Sequence, residues 1–300
     1  MAKHAGRLKV RQAWIGSFFL LPFLIHFSIF VIYPFFSTIF TSFTNQDMLT
    51  MQNAYVGIKN YVDVMKDSLF LRSLSNTIFY VLIDGTGVVV FGLAMALVLN
   101  MKIKGISFFR TAYYIPVLVD WVIVSLVFMF ILDPSFGLLN YFLRLLSIPA
   151  QRFLTDPKQA LWIITISSIW KGVGYYAVFY LAALQDVPIE LKEAAQIDGA
   201  NKVQSFFKIT LPQIMPVSLF VILMAFIGSL KGFDQFYIMT KGGPARSTTT
   251  IMYYFYETAF GFLKTGKGSS IAVIFTLFVF LFVGIQRLLL NRLSGSSGMN

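Results

Sequence analysis

The chain contains no cysteine and very little charge. Its 300 residues include only two histidines, His4 and His26. The lack of cysteine excludes disulfide bonds, thiol catalysis and thiolate-ligated metals, and two distant histidines are too few for a histidine metal site. Charged residues make up 12% of the sequence, whereas an ordinary soluble domain has about a quarter. The composition therefore argues against a soluble enzyme.

In place of charge, the sequence has long apolar blocks. Hydrophobic residues make up 57% of the chain, and the mean hydropathy is +0.74. A helix needs about 20 apolar residues to cross the roughly 30 Å hydrocarbon layer of a bilayer. The sequence therefore predicts an all-α, polytopic membrane protein with six transmembrane helices. The predicted spans are 14–43, 74–101, 111–132, 160–184, 214–239 and 269–290.

The spans divide the chain into three parts. A basic N-terminal segment, 1–13, precedes one membrane domain, 14–290, and a small polar tail, 291–300, follows it. The first apolar block is too long for a signal-peptide core, so we expect it to be retained as a span. Lys and Arg are slightly denser on the side of both termini, which predicts that both termini are cytoplasmic.

The net charge of +11 does not indicate a nucleic-acid-binding protein. The Lys and Arg residues are scattered through short loops and are not gathered on one face or arm. Cationic loops that meet anionic lipid head groups explain the excess. We therefore expect no nucleic-acid partner.

The longest predicted cytoplasmic segment, 185–213, has the sequence of two short helices joined by a turn. Pro188 is suited to a first helical position, and the Asp198-Gly199 pair is suited to a sharp turn, with the aspartate able to cap the helix that follows. Two interpretations are open on this evidence. The segment is either an amphipathic loop on the inner leaflet or a rigid helical knob that fits a groove in another protein.

The same segment resembles the EAA loop of ABC importer permeases, because every fixed position of that pattern is met. The likeness covers nearly the whole chain, and the form EAAQIDGA followed by FFKITLP resembles the carbohydrate-uptake branch of the binding-protein-dependent permeases. The loop positions are Glu193, Ala194, Ala195, Gly199, Ile209, Leu211 and Pro212. Further matching segments are 57–61, Asn76-Thr77, Phe109-Arg110-Thr111 with Pro116, and Gly242-Gly243-Pro244 with Thr249.

This resemblance implies a type I ABC importer transmembrane domain with a cytoplasmic coupling helix. The loop residues above, together with Asp198, would seat in a cleft of an ATP-hydrolysing subunit, with Glu193 paired there and Gly199 setting the angle between the two helices. The implied partners are a second, non-identical permease, two ATP-binding cassette subunits and an extracytoplasmic solute-binding protein. The chain itself would bind no cofactor, since ATP and Mg²⁺ would be used by the partner subunits.

The resemblance also implies a location and a cargo. The membrane would be the cytoplasmic membrane of a bacterium or archaeon, and the cargo a sugar or oligosaccharide. Glycerol phosphate is the nearest alternative cargo within the family.

Charged residues inside the predicted spans are candidate pathway residues, since each costs a few kcal/mol at mid-bilayer unless it is paired or hydrated. Asp84, Asp120 and Lys171 lie at middle depth, and Trp170 and Tyr175 flank the lysine. One interpretation is structural ion pairs that hold the bundle together. The other is a water-filled pathway in which Lys171 and an aspartate contact sugar hydroxyls.

A second charge pair and one motif have simpler interpretations. Lys231 and Asp234 are three residues apart, so we expect them to neutralise each other on one helix. The GxxxxGK match at 261–267 is followed by Gly268, whereas a phosphate loop needs Ser or Thr there. We therefore do not expect this segment to be a phosphate loop.

Two other classes of protein remain as rivals. A gradient-driven secondary carrier would show inverted repeats or a carboxylate relay, and neither is evident. An intramembrane enzyme would need a convergent catalytic set, and His26 has no partner at catalytic spacing.

Overall fold

The described residues form two compact units that are almost entirely helical. The computed structural model describes residues 18–101 and 104–295, with side chains up to residue 290. Within the described residues, one unit contains 18–65 and 255–274, and the other contains 66–101, 104–254 and 275–295. The predicted N-terminal segment 1–13 and the end of the predicted tail lie outside the described residues. Within them, strand pairing is limited to isolated bridges, Thr44 with Tyr55 and Asp47 with Gln52.

The helices of the described residues are labelled here in chain order. They are α1 (Phe18–Ser42), α2 (Lys59–Lys66), α3 (Ser68–Leu99), α4 (Ile106–Leu118), α5 (Trp121–Ile131), α6 (Leu138–Leu145), α7 (Ala160–Gln185), α8 (Ile189–Ile197), α9 (Lys202–Ser205), α10 (Met215–Leu230), α11 (Asp234–Met239), α12 (Ile251–Tyr256) and α13 (Thr265–Gly295).

Several of these helices are long and apolar enough to cross a membrane. In the described part of the chain four segments qualify, α1, α3, the stretch Met215–Met239, and α13 from Thr265 to Leu290. The number rises to five if the bent pair α4 and α5 is one span. The helix predicted as the fourth span, α7, is 26 residues long but is not among them. It carries Thr165, Ser167, Ser168 and Lys171, all of which are buried inside the protein.

The third predicted span is broken into two helices. α4 and α5 are bent by 100° with respect to each other. The break lies at Val119 and Asp120, because the Asp120 carboxylate accepts a hydrogen bond from the Val122 amide at 2.8 Å and so caps a new helix. Pro116 lies inside α4, and the helix continues to Leu118 before it ends.

Two prolines follow a widened helical turn. A π-helical turn at Ser28–Ile32 ends just before Pro34, and another at Phe206–Thr210 ends just before Pro212. Proline has no amide hydrogen to donate to the preceding turn, and π-turns in helices occur where the regular hydrogen-bond ladder is disturbed. The hydrogen bonding of α1 is therefore loosened just before Pro34.

A polar seam joins α3 to the segment 229–254. The Asn76 side chain donates to the Thr249 carbonyl at 3.0 Å, and the Thr77 hydroxyl accepts from the Ile251 amide at 2.9 Å. Hydrogen bonds between buried polar groups avoid the cost of leaving them unpaired. The other pairs of the seam are Tyr254 with Asp67, Gln235 with Tyr80, and Ser229 with Asp84.

Glycines allow α7 to approach its neighbours closely. A Cβ placed on Gly174 would lie 2.8 Å from Val117 Cγ2 and 2.9 Å from the Tyr113 carbonyl oxygen. The second of these atoms belongs to the backbone of α4 and cannot move aside without moving the helix. A larger residue at Gly174 is therefore excluded by the packing of α4 on α7.

We expect Gly174→Leu to destabilise the protein by about 1–3 kcal/mol, the usual cost of overpacking a close contact. The measurement is the thermal stability of the purified protein in detergent, followed by size-exclusion chromatography. The matched control is Gly284→Leu in α13, where no atom lies within 4 Å of the added Cβ. Equal melting temperatures for the two variants would contradict the packing described here.

Candidate translocation cavity and coupling loop

A polar cavity of about 250 Å³ lies in the larger unit. Its lining comes from α3, α7, the break between α4 and α5, and the break between α10 and α11. Helix breaks inside a membrane bundle expose backbone groups, and such breaks are tolerated where they face protein or a hydrated cavity. The lining includes Tyr80, Asp84, Val117, Trp121, Ser168, Lys171, Tyr175, Tyr176, Ser229 and Gln235.

Asp84 presents an unpaired oxygen in this cavity. Its side chain is only 6% exposed. The Ser229 hydroxyl donates to Oδ2 at 2.6 Å, while Oδ1 has no hydrogen-bond partner among the residues that the structure describes. A buried carboxylate oxygen without a partner is costly, so this atom is a candidate acceptor for a donor that enters the cavity.

Lys171 provides the opposite charge at the same cavity. Its Nζ lies 3.5 Å from the carbonyl oxygen of Val117, near the C-terminal end of α4, and 4.9 Å from the centre of the Trp121 ring. A helix C-terminus and an aromatic face both attract a cation. Within the described chain, Lys171 forms no ion pair with Asp84 or Asp120. The structural ion pair considered in the sequence analysis is therefore not formed.

Neutral polar groups complete the lining. Gln235 Nε2 donates to the Tyr80 hydroxyl at 2.8 Å. The Ser168 hydroxyl is buried and has no hydrogen-bond partner of good geometry in the described part of the chain. The cavity thus offers a cation, an acceptor and hydroxyl groups around one space, which suits a ligand that carries several hydroxyl groups.

The other predicted pathway residues are divided between different environments. Tyr175 lines the cavity with Lys171, which is one helical turn before it. Trp170 is 52% exposed and lines a separate, apolar cavity of about 570 Å³. Asp120 is exposed and acts as the N-cap of α5. The structure therefore brings Asp84, Lys171 and Tyr175 together and leaves Trp170 and Asp120 outside the cavity.

Sequence reasoning missed the neutral members of the cavity. In the fifth predicted span, the residues singled out from the sequence were Lys231 and Asp234. Both are exposed, and they form no ion pair in the described chain. The polar residues that line the cavity there are Ser229 and Gln235. The sequence contained a reason to select Gln235, because a glutamine in an apolar membrane segment is also costly unless it is hydrogen-bonded.

The segment 185–213 contains the two predicted short helices, α8 and α9. The turn between them is a Schellman motif, in which the Ala200 amide donates to the Ala195 carbonyl at 2.9 Å and the Gly199 amide donates to the Gln196 carbonyl at 3.1 Å. Gly199 has φ +82°, a conformation that favours glycine. The predicted sharp turn at Gly199 is confirmed.

The caps of these helices differ from the sequence-based expectation. Pro188 is the N-cap of α8, one residue before the predicted first helical position. Asp198 is the C-cap of α8 and does not cap the following helix. Asn201 does so instead, through a capping box with Gln204 in which each side chain bonds the other residue's amide at 2.9 Å.

One face of the loop is exposed. Ala195 is 8% exposed and packs inside the chain, whereas Glu193 and Ala194 are exposed. Three apolar side chains are also exposed, at 86% for Ile197, 64% for Val203 and 59% for Phe207. Large apolar side chains exposed within one short loop are typical of a surface that contacts another protein. Of the remaining predicted loop residues, Ile209 lies in the π-helical turn Phe206–Thr210, and Leu211 and Pro212 lie in a three-residue helix, Leu211–Gln213, just before α10.

We expect Gly199→Val to reduce cargo uptake about tenfold and Gly199→Asn to retain most of it, because valine is strained by about 1–2 kcal/mol at positive φ whereas asparagine tolerates it. No atom lies within 4 Å of a Cβ at this position, so the difference reports the backbone and not a clash. The measurement is uptake into proteoliposomes. Equal uptake by the two variants would contradict a requirement for this turn.

Comparison with known families decides the identity of the chain. Residues 88–295 match the family described as the binding-protein-dependent transport system inner membrane component. The chain belongs to this family. Its members are permease subunits of ABC transporters, so the predicted all-α membrane protein and the predicted absence of catalysis by this chain are confirmed.

Individual relatives of this permease family align over nearly their whole length. The probable ABC transporter permease protein YurN of Bacillus subtilis is 35% identical over 87% of this chain and 90% of its own. The sn-glycerol-3-phosphate transport system permease protein UgpA of Pectobacterium atrosepticum is 32% identical, covering 94% and 96%. The multiple sugar-binding transport system permease protein MsmF of Streptococcus mutans is also 32% identical, covering 96% and 97%.

A solved structure has the same fold. It is a bacterial ABC transporter involved in the import of the acidic polysaccharide alginate, with a TM-score of 0.84, 24% identity, and coverage of 95% of this chain and 97% of that one. At this identity the likeness establishes the fold alone.

In and just after the GxxxxGK motif of this permease, two backbone amides already donate to backbone carbonyls. The Gly266 amide donates to the Gln46 carbonyl at 2.9 Å, and the Gly268 amide donates to the Lys264 carbonyl at 2.8 Å. A phosphate loop needs such amides free to cradle the anion. The segment 261–268 therefore does not form a phosphate loop. Among the described residues, no group of three His, Cys, Asp or Glu side chains could hold a metal ion.

Proposed function

We propose that this chain is the transmembrane subunit of an ATP-driven importer and forms the translocation pathway for a sugar or oligosaccharide. The observation that carries the proposal is the polar cavity of about 250 Å³, with Asp84 and Lys171 unpaired with each other in an otherwise apolar bundle. Two opposite charges that do not pair keep a donor and an acceptor available. A neutral cargo with several hydroxyl groups satisfies both.

The coupling loop supports an ATP-driven mechanism. α8 and α9 are held at a fixed angle by the Schellman motif, and Glu193 faces outward with the exposed apolar side chains. We propose that this face seats in a cleft of an ATP-binding cassette subunit. Closure of two such subunits on ATP and Mg²⁺ would then move the spans between inward-facing and outward-facing states.

The proposed assembly contains this chain, a second, non-identical permease, two ATP-binding cassette subunits and an extracytoplasmic solute-binding protein. We propose six spans, with α7 as the fourth. We also propose that the N-terminus and the C-terminus both lie in the cytoplasm. Burial of the polar side chains of α7 in protein supports its place among the spans despite its polarity. The membrane would be the cytoplasmic membrane of a bacterium or archaeon.

Glycerol phosphate is the second candidate cargo, because a relative with 32% identity is named for its transport. The cavity favours the sugar. A phosphate dianion would interact with Lys171 but would be repelled by Asp84, which lines the same space.

Reconstitution tests the function. The chain is co-purified with the ATPase, permease and solute-binding protein encoded beside it and is placed in liposomes. We expect ATP-dependent uptake of a labelled disaccharide or trisaccharide that exceeds uptake of labelled glycerol 3-phosphate. Uptake that needs an ion gradient and persists without ATP would indicate a secondary carrier instead.

A further inference from the structure

α2 has three faces with different chemistry. Asn60, Tyr61 and Val64 lie against the rest of their unit or are partly covered by it, and Val64 is fully buried. An apolar stripe of Ile58, Val62 and Met65 is 67%, 40% and 54% exposed. A charged stripe, exposed beside it, consists of Lys59, Asp63 and Lys66. The two exposed stripes run parallel, because their members recur at positions i, i+4 and i+7.

The covered face fixes α2 to the end of a membrane-spanning helix. Asn60 Nδ2 donates to the carbonyl of Ser42, the last residue of α1, at 2.9 Å and to the carbonyl of Thr44 at 2.7 Å. The Tyr61 hydroxyl bonds the Ser42 hydroxyl, and its ring lies 5.4 Å from that of Phe43. These contacts hold α2 at the level where α1 ends.

For a helix that spans the bilayer, that level is the membrane surface. The 25 described residues of α1 correspond to about 38 Å of helix, which is enough to cross roughly 30 Å of hydrocarbon. With α1 as a span, its C-terminal end at Ser42 lies at the head-group layer. On the other side of α2, Asp67 alone separates it from α3, a second candidate span. α2 is thus held by hydrogen bonds at the end of one candidate span and is joined through Asp67 to the start of another.

We infer that α2 lies in the membrane interface, with Ile58, Val62 and Met65 inserted among lipid chains and Lys59 and Lys66 at the phosphate groups. An amphipathic helix with an apolar stripe beside basic residues is the chemistry that binds a lipid surface. Two cations and one aspartate on the charged stripe favour anionic lipid. In the same connector, Leu49 and Met51 are 70% and 86% exposed. A lipid-facing α2 would fix the depth of α1 and of the first residues of α3.

The absence of cysteine from this chain allows single-cysteine labelling without background from this subunit, and the matching complex without an introduced cysteine serves as the blank for its partners. Val62→Cys and Asp63→Cys place a spin label on adjacent residues of the two exposed stripes, and both sites are exposed, so folding is preserved. The labelled complex is reconstituted in phosphatidylcholine vesicles with or without phosphatidylglycerol. Oxygen, which partitions into lipid, and a water-soluble nickel chelate serve as relaxation probes.

We expect the oxygen-to-nickel accessibility ratio to be at least about threefold higher at position 62 than at position 63, as for a helix in the interface plane. Phosphatidylglycerol should increase this difference. Equal, water-like ratios at both positions would overturn the inference. So would a label at position 62 that stays hydrated in vesicles and becomes shielded only when the solute-binding protein is added, since that result would make the stripe a protein-docking surface.

Discussion

Glu193→Lys is expected to lower cargo uptake by at least about a hundredfold while the protein still folds and inserts. The Glu193 carboxylate is exposed and makes no side-chain hydrogen bond or ion pair within the described residues. Its replacement should therefore change the stability of the chain itself by no more than about 0.5 kcal/mol. The loss would arise at the contact with the ATPase subunit, where juxtaposed like charges cost several kcal/mol, and each 1.4 kcal/mol is a factor of ten.

The measurement combines uptake with the ATPase activity of the reconstituted complex. Glu190→Lys is the matched control, because Glu190 is exposed and lies in the first turn of the same helix, α8. Removing a favourable charge from a helix N-terminus costs only about 0.3–1 kcal/mol, so uptake by the control should fall no more than about fivefold. Cargo-stimulated ATPase activity and uptake at normal levels in Glu193→Lys would refute the coupling role of this residue.

The sequence predicted those features of the fold that depend on neighbouring residues. The apolar blocks identify the long helices, because the cost of placing backbone and side chains in lipid depends mainly on composition. The turn at Gly199 was also predictable, since few residues other than glycine adopt φ +82°. Caps were less predictable. Asp198 and Asn201 are both good capping residues, and the choice between them depends on where α8 ends.

The break in the third span was only partly predictable. Pro116 marks a weakened helix, yet the chain turns at Val119 and Asp120, where an aspartate side chain can replace the missing backbone partner. From the sequence, Asp120 was interpreted only as a charge inside the span, because its role as an N-cap depends on where α4 ends.

Helical periodicity explains which aromatic residue reaches the cavity. Lys171 and Tyr175 are four residues apart and share one face of α7, whereas Trp170 is displaced by about 100° from Lys171. This signal was present in the sequence. The cavity partners that other helices contribute could not be predicted from the sequence. Asp84 and Ser229, for example, are 145 positions apart, and only the tertiary fold brings them together.

Segments shared with the permease family have identifiable structural work in this chain. The Asn60 side chain donates to the Ser42 carbonyl at the end of α1. Asn76 and Thr77 form hydrogen bonds with the backbone of Thr249 and Ile251. Arg110 Nη2 donates to the Leu99 carbonyl at the end of α3 at 3.0 Å. Each of these side chains satisfies backbone groups that a helix end or a loop leaves unpaired. Much of the motif set therefore stabilises the scaffold, while the coupling loop and the cavity carry the proposed transport.

Lys171→Met is the second large expected effect, with uptake reduced about tenfold to a hundredfold and assembly unchanged. Methionine keeps the length of the side chain but removes the charge. A hydrogen bond to a charged group contributes about 1.5–3 kcal/mol, which corresponds to this range when it is formed to the cargo. Because Lys171 has no carboxylate partner in the described chain, its loss leaves no buried anion unpaired, and we expect the purified complex to remain intact.

Asp84→Asn and Lys231→Met complete this test. Asp84→Asn keeps the shape of the side chain and its bond to Ser229 but weakens the acceptor, so it should also reduce uptake. Lys231 is exposed, and Lys231→Met should leave uptake unchanged. Loss of the assembled complex in Lys171→Met would show that the lysine holds the bundle together. An intact complex with normal uptake in both cavity variants would show that Asp84 and Lys171 do not line the pathway. Deleting a charge that the cargo must pass changes the rate at which the cargo passes.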